Sequence, residues 1–266
     1  MTPADIHAAA EALFAAEGSR RQIGLLSLAH PGMTMEDAYA VQAAFVALKQ
    51  AAGVPRIGWK IGLTSRAMQA ALGIDIPDSG VLLADMAFDS GATIPKGRFI
   101  EPRIEAEIAF VMGADLAGDH VTEADVIAAT DHVRPSLEIL DTRIARRDPA
   151  TGTARIILDT VADNAANAGI VTGGAPVRPG DIDLRRIGAI VSRGGIVEET
   201  GLGAGVLGNP TRGIVWLVHR LARYGQGVKA GEVLLSGSFI RPIEAPPGGD
   251  IEADFGDFGL VTVRFA

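Results

Sequence analysis

The sequence predicts an α+β protein, with a small helical N-terminal part over residues 1–55 and a larger, mixed but mostly β domain over residues 56–266. Three observations predict this. Apolar residues recur at helical spacing before Pro55, and the period shifts to alternation immediately after it. Few strand–helix–strand units of regular length follow, which disfavours a doubly wound parallel sheet.

Thr2-Pro3-Ala4-Asp5 opens the first helix, with Thr2 as N-cap and Pro3 at the first helical position. Ile6, Ala9, Ala10, Leu13 and Phe14 form its apolar stripe, and His30-Pro31-Gly32 is a break. Thr34 caps a second helix with Asp37 three residues on, the capping-box spacing. Tyr39, Val41, Ala44, Phe45 and Leu48 are its apolar positions, and Gly53 with Pro55 ends it. Arg56 to Thr64 then alternates, Ile57, Trp59, Ile61 and Leu63 against Gly58, Lys60, Gly62 and Thr64, and predicts a strand. Ser65 to Leu72 reads as a short helix stopped by Gly73. Further strands are expected at Arg103–Met112, Leu137–Leu140, Ala189–Ser192 paired with Gly195–Glu198, Val233–Ser236 and Leu260–Phe265. Two helices are expected among them, at about Thr122–His132 and Thr211–Tyr224.

Composition narrows the function. In 266 residues, 24 Lys and Arg face 32 Asp and Glu, a net charge of −8 that argues against a nucleic-acid binder. The absence of Cys excludes disulfides, thiolate metal sites and a Cys nucleophile. The N-terminus lacks the basic start and apolar run of a signal peptide, and no stretch of about 18 apolar residues occurs. A cytoplasmic protein without a membrane partner is therefore expected. Gly203-Ala204-Gly205-Val206-Leu207-Gly208 satisfies the dinucleotide-binding spacing, but Asn209-Pro210 interrupts it before any helix and it reads as an ordinary loop. The five His are scattered and no serine sits in a nucleophile-elbow motif.

The chemistry concentrates in Pro102-Arg103-Ile104-Glu105-Ala106-Glu107-Ile108-Ala109-Phe110-Val111. Alternation puts Glu105 and Glu107 on one face, which continues as Ala109 and Val111. Two carboxylates in an apolar surround repel each other and lose hydration, and a hard dication such as Mg²⁺ or Mn²⁺ offsets both costs. The same pattern also suits a half-exposed strand carrying solvated charge. Glu138, between Leu137 and Ile139, is a third acid in an apolar run, with Arg134 or Arg143 as alternative ion-pair partners. Lys60 sits between Gly58 and Gly62 on its strand face, which suits either a ligand beside a desolvated amine or a lysine guarding an edge strand.

Several blocks together resemble the hydratase/decarboxylase branch of the fumarylacetoacetate hydrolase superfamily. They are Gly58-Trp59-Lys60-Ile61-Gly62-Leu63-Thr64-Ser65, Pro77-Asp78-Ser79-Gly80, Pro102–Glu107, Asp159–Gly169, Glu198-Glu199-Thr200-Gly201 with Ala204-Gly205-Val206-Leu207, and Gly237-Ser238-Phe239-Ile240-Arg241-Pro242. The resemblance implies a mixed β sandwich or roll with a helical N-terminal part, one functional unit, and a metal-dependent lyase of aromatic catabolism. It implies Glu105, Glu107 and Glu138 as ligands of Mg²⁺ or Mn²⁺, Lys60 and Asp78 as catalytic residues, and Ser238 at the keto-acid end of the substrate. It also implies a small-molecule 2-oxo-alkenoate substrate and a homo-oligomer, in some relatives a ring of dimers. Hydration of a diacid is the favoured activity. The alternatives are hydration of 2-oxopent-4-enoate, decarboxylation of 4-oxalocrotonate, and a non-catalytic subunit that stabilises a catabolic complex. Two positions depart from the pattern: Trp59 stands where a His often precedes the lysine, and Val161 replaces a small hydroxyl residue, so no substrate contact is assigned there.

Overall fold

The computed structural model describes residues 1–66, 69–70, 74 and 76–266. The short helix expected over Ser65–Leu72, with its stop at Gly73, falls largely outside the described residues. The N-terminal part contains α1 (Pro3–Ser19), α2 (Leu26–Ala29) and α3 (Met35–Ala51). Both predicted caps form, Thr34/Asp37 as the expected capping box and Thr2 as one completed by Asp5: the Thr2 and Thr34 hydroxyls accept from the Asp5 and Asp37 amides, and each Asp carboxylate accepts from its cap amide at 2.9 Å. The first helix ends earlier than the His30 break, because Arg20 takes a left-handed conformation (φ 58°) that closes it.

Fifteen strands follow among the described residues. They are β1 (Arg56–Gly62), β2 (Asp78–Leu83), β3 (Ala87–Asp89), β4 (Ala92–Ile94), β5 (Arg103–Met112), β6 (Leu116–Ala117), β7 (Thr130–Leu140) and β8 (Asn167–Thr172). The rest are β9 (Gly188–Arg193), β10 (Ile196–Leu202), β11 (Gly227–Val228), β12 (Val233–Leu235), β13 (Ile243–Glu244), β14 (Asp250–Asp254) and β15 (Leu260–Phe265). The larger sheet runs β2-β1-β12-β5-β7-β8-β3, with β13 also paired to β5; a second runs β10-β9-β14-β15-β4, and β11 pairs with β6. Among the described residues, three helices with defined bounds interrupt the strands: α4 (Glu123–Ala129), α5 (Ile157–Ala162) and α6 (Pro210–Ala222). The α+β class is as expected, and one apolar core runs from Leu13 and Phe45 in the helices to Ile104, Leu137 and Val263 in the sheets.

Several boundaries differ from expectation: β10, expected to end at Glu198, runs to Leu202, and the largest change is at the junction of α4 and β7. The helix expected to reach His132 stops at Ala129, and the strand expected from Leu137 already begins at Thr130. The structure also answers why Pro135 lies inside a strand paired on both sides. β8 ends at Thr172, the Gly173 amide still donates to the Pro135 carbonyl at 3.2 Å, and at Gly174, whose φ is +59°, a Cβ would collide with the proline ring. The glycine-rich loop at 203–208 follows an antiparallel hairpin strand and precedes α6, which Asn209 caps through its side chain on the Thr211 amide. The helix thus begins at Pro210 itself, directly after the Asn209 cap, rather than beyond an interruption there.

Buried ion pairs bolt the helices to the sheets. Arg143, 2% exposed, is paired with Asp163 through Nε and reaches Glu17 of α1 at 3.2 Å. Lys49 of α3 lies 2.5 Å from Glu17 and 2.6 Å from Asp85. Breaking the Arg143–Asp163 pair would strand a buried carboxylate, at a cost of about 3–5 kcal/mol. Arg143 is thus committed to Asp163 and is not the partner of Glu138.

Candidate active site

Strand register assembles the site. β1 is flanked by β2 and β12, so Lys60 is not on an edge, and it is only 3% exposed. In the β1–β2 ladder, Lys60 lies opposite Gly80 and Gly62 opposite Asp78. In the β5–β7 ladder, Glu105 lies opposite Glu138 and Glu107 opposite Ser136. One carboxylate oxygen from each of Glu105, Glu107 and Glu138 lies within 4.8 Å of the others. Glu107 and Glu138 are fully buried and Glu105 is half-buried at the cavity wall.

The glycines flanking Lys60 serve different ends. A Cβ on Gly58 would collide with the Val233 carbonyl of β12, so that glycine permits strand packing rather than ligand approach. A Cβ on Gly62 would collide with Asp78 Oδ1 and lie 3.0 Å from Lys60 Nζ, so this glycine makes room for the amine and the acid to converge.

The charges are poorly compensated within the chain. Gly237 donates its amide to Glu107 Oε2 at 2.8 Å, but Glu107 Oε1, both Glu138 oxygens and Asp78 Oδ1 are buried without a hydrogen-bond partner. Lys60 Nζ is 3.4 Å from Glu138 Oε1, an ion pair rather than a formed hydrogen bond. Burial, then the Glu138 charge, pushes the Glu105 carboxyl up to about 8. Burial with Glu138 and Glu105 holds Glu107 well above the usual range, and burial raises Glu138 and Asp78 against the pull of Lys60. Lys60 loses hydration too, but the surrounding acids, Glu138 first, outweigh that and raise it. Three converging carboxylates with unpaired oxygens are the donor set of a hard divalent cation, and the residues fit one. A merely structural cluster would leave those oxygens unsatisfied, which is costly.

This electrostatic frustration has a measurable consequence. An acid raised in the fold favours folding below its unfolded pKa, and that contribution is lost as pH rises through the folded one. For Glu105 the window runs from about 4.5 to about 8. The cation-free protein should lose stability across that window, while Mg²⁺ competes with fewer protons as pH rises. At a hundredfold excess over Kd the cation adds about 2.7 kcal/mol, a rise of roughly 5–10 °C in Tm. Thermal melts with Mg²⁺ or chelator should show a larger difference at pH 8 than at pH 5.5, and equal differences would contradict the cluster as the binding site.

Lys60, Asp78, Glu105 and Ser238 line one cavity of about 540 Å³. Ser238 stands at its wall with its hydroxyl donating to the Ile240 carbonyl at 2.9 Å. Sequence reasoning missed Arg103, Arg155 and Arg241, which line the same cavity. Arg103 and Arg241 lay within the quoted blocks, but no spacing singles out Arg155. Val161, left unassigned, is buried, and its carbonyl accepts from Gln42 Nε2 at 2.9 Å. Among the described residues, no helix is long and apolar enough to cross a membrane.

The fold is that of the fumarylacetoacetate hydrolase superfamily. Within it, the chain belongs to the hydratase/decarboxylase branch. It is 49% identical to 2-oxo-hept-4-ene-1,7-dioate hydratase of Escherichia coli over 96% of both chains. It is 38% identical to 2-keto-4-pentenoate hydratase of Paraburkholderia xenovorans, covering 100% of this chain and 96% of the relative. The solved structure of 4-oxalocrotonate decarboxylase from Pseudomonas putida G7, complexed with magnesium and adipate, superposes with a TM-score of 0.93 at 34% identity, covering 100% and 99% of the two chains. No family model matches the chain.

Proposed function

We propose that this chain is a divalent-metal-dependent hydratase that adds water to a 2-oxo-alkenoate diacid, converting 2-oxohept-3-ene-1,7-dioate to 4-hydroxy-2-oxoheptanedioate on the homoprotocatechuate route of aromatic catabolism. The observation that carries it is the convergence of Glu105, Glu107 and Glu138 on one point beside Lys60 and Asp78. The 49% identical hydratase supports the diacid substrate. In this reading Glu105, Glu107 and Glu138 hold Mg²⁺ or Mn²⁺. Lys60 and Asp78 are the catalytic residues, and Ser238 faces the keto-acid end. The helical part (1–55) and the mixed β roll (56–266) work as one cytoplasmic unit, as their shared core and the Arg143 and Lys49 ion pairs support. Exposed Ile190, Ile196, Val197 and Leu202 on the β9–β10 hairpin support a homo-oligomer.

A bound dication supplies Lewis-acid stabilisation of charge developing on the keto oxygen. The chain's own groups handle protons. Lys60, kept charged by its acidic neighbours, donates, and Asp78 beside it takes the proton back. Together they move a proton between C3 and C5 of the substrate. This shuttle interconverts the 4-ene named for the E. coli relative and the conjugated 3-ene through their common dienol. Water then adds to the 3-ene, its OH to C4 and a proton to C3.

Decarboxylation is the second reading, favoured by the full-length likeness to the Pseudomonas decarboxylase. A panel of C5 to C7 2-oxo-enoates, with Mg²⁺ added and removed, separates them. Metal-dependent formation of 4-hydroxy-2-oxo acids is expected, with the C7 diacid turned over best. Release of CO₂ with accumulation of the shortened 2-oxo acid would overturn it.

A further inference from the structure

The cavity wall carries a positive charge that the proton chemistry leaves unused. Of the three arginines lining it, two have a carboxylate partner: Arg241 donates from Nε to Glu199 Oε1 at 2.8 Å, and Arg103 from Nη2 to Glu244 Oε1 at 3.1 Å, with Arg103 Nε buried and unpartnered. Arg155 has no carboxylate within ion-pair distance among the described residues, and its Nη1 is buried without a hydrogen-bond partner. Burial removes its water, and although Asp163 and Asp159 pull the other way, Arg146 and Arg103 add like charge, so its pKa is lowered. A half-buried guanidinium left in this state is costly, and a carboxylate supplied by a ligand relieves it. The planar fork of donors suits two carboxylate oxygens at once. A ligand that meets both the acid cluster's cation and Arg155 needs an anionic group at each end.

We propose that Arg155 binds the distal carboxylate of the substrate and thereby selects 2-oxo diacids over 2-oxo monoacids. The assignment rests on the hydratase reading only for which end reacts.

The test uses a matched, unreactive pair, 2-oxoheptanedioate and 2-oxoheptanoate, which differ only in the distal carboxylate. Their binding to the protein with Mg²⁺ present is measured by calorimetry, beside turnover of the C7 diacid. Wild type should bind the diacid about 10–100-fold more tightly, the worth of a charge-assisted hydrogen-bonded pair. Arg155→Gln should reduce that preference to roughly threefold or less with monoacid affinity kept, and Arg155→Lys should recover part of it. Arg241→Gln, whose charge Glu199 already takes, should keep the preference. The assignment is overturned if wild type shows no preference, if R155Q retains it, if R155Q weakens both ligands equally, or if R241Q abolishes it instead. Should R155Q fail to melt cooperatively, R155K decides, since a lysine with the wild-type preference also overturns the fork. If an Arg155-dependent preference is found but no 2-oxo-alkenoate is turned over, the hydratase reading alone falls.

Discussion

Lys60→Ala should lower turnover by about 10²–10⁴-fold, the usual worth of a positioned acid–base group, while the acid cluster still binds its cation. The split follows from where the amine sits. Lys60 Nζ is 3.4 Å from Glu138 Oε1 and shares the Gly62 gap with Asp78, so it faces both the metal ligands and the space where substrate carbons would lie. Removing it leaves all three carboxylates in place. It also takes away the one cation among the described residues that lies within ion-pair distance of them, so cation-free K60A should melt below wild type at pH 8, and Mg²⁺ should recover more than it does for wild type. Steady-state kinetics, calorimetric titration with Mg²⁺ and paired melts read the three effects. Unchanged turnover would remove Lys60 from the chemistry, and lost Mg²⁺ binding would make its role structural.

The second large effect is expected at Glu107, with opposite signs in the two states of the site. Glu107 is fully buried, its Oε1 is unpartnered, and its carboxyl is raised by burial and by the charges of Glu138 and Glu105. Glu107→Gln keeps the volume and the oxygen that accepts from the Gly237 amide, and it turns the unpartnered atom into a donor near the Glu138 oxygens. Without metal, the variant should be more stable than wild type at pH 8 by about 1–3 kcal/mol. Mg²⁺ affinity should fall by about 10²-fold or more, since even outer-shell partners cost 10–100-fold. Turnover should fall with it. Melts in chelator and in Mg²⁺ check both signs. A cation-free E107Q less stable than wild type, with Mg²⁺ affinity kept, would mean that the acids serve the fold instead.

Local signals in the chain were legible where the physics is local. The Thr2 N-cap, the Thr34/Asp37 capping box and the alternation through Glu105 and Glu107 depend on neighbours within a few residues, and the structure carries all of them. Pairing was not legible: that Glu138 lies opposite Glu105, and that Lys60 rather than Arg134 or Arg143 faces Glu138, are facts of register between strands far apart in sequence. β8 was invisible because Asn167-Ala168-Gly169 carries little β propensity, and it exists because β7 and β3 flank it. The start of β7 was hidden because the apolar spacing through Val126 and Ala129 runs on past Thr130, where tertiary pairing prevails. Arg155 gave no signal at all, since it lies in a polar loop and only the fold brings it to the cavity that holds Lys60.

The most direct measurement is an anomalous difference map from a crystal of this protein grown with Mn²⁺. A peak is expected between Glu105, Glu107 and Glu138, bound to an oxygen of each at a coordination distance of roughly 2.0–2.2 Å, beside Lys60. Mn²⁺ bound elsewhere with this cluster empty, or the three carboxylates paired only with protein groups, would contradict it.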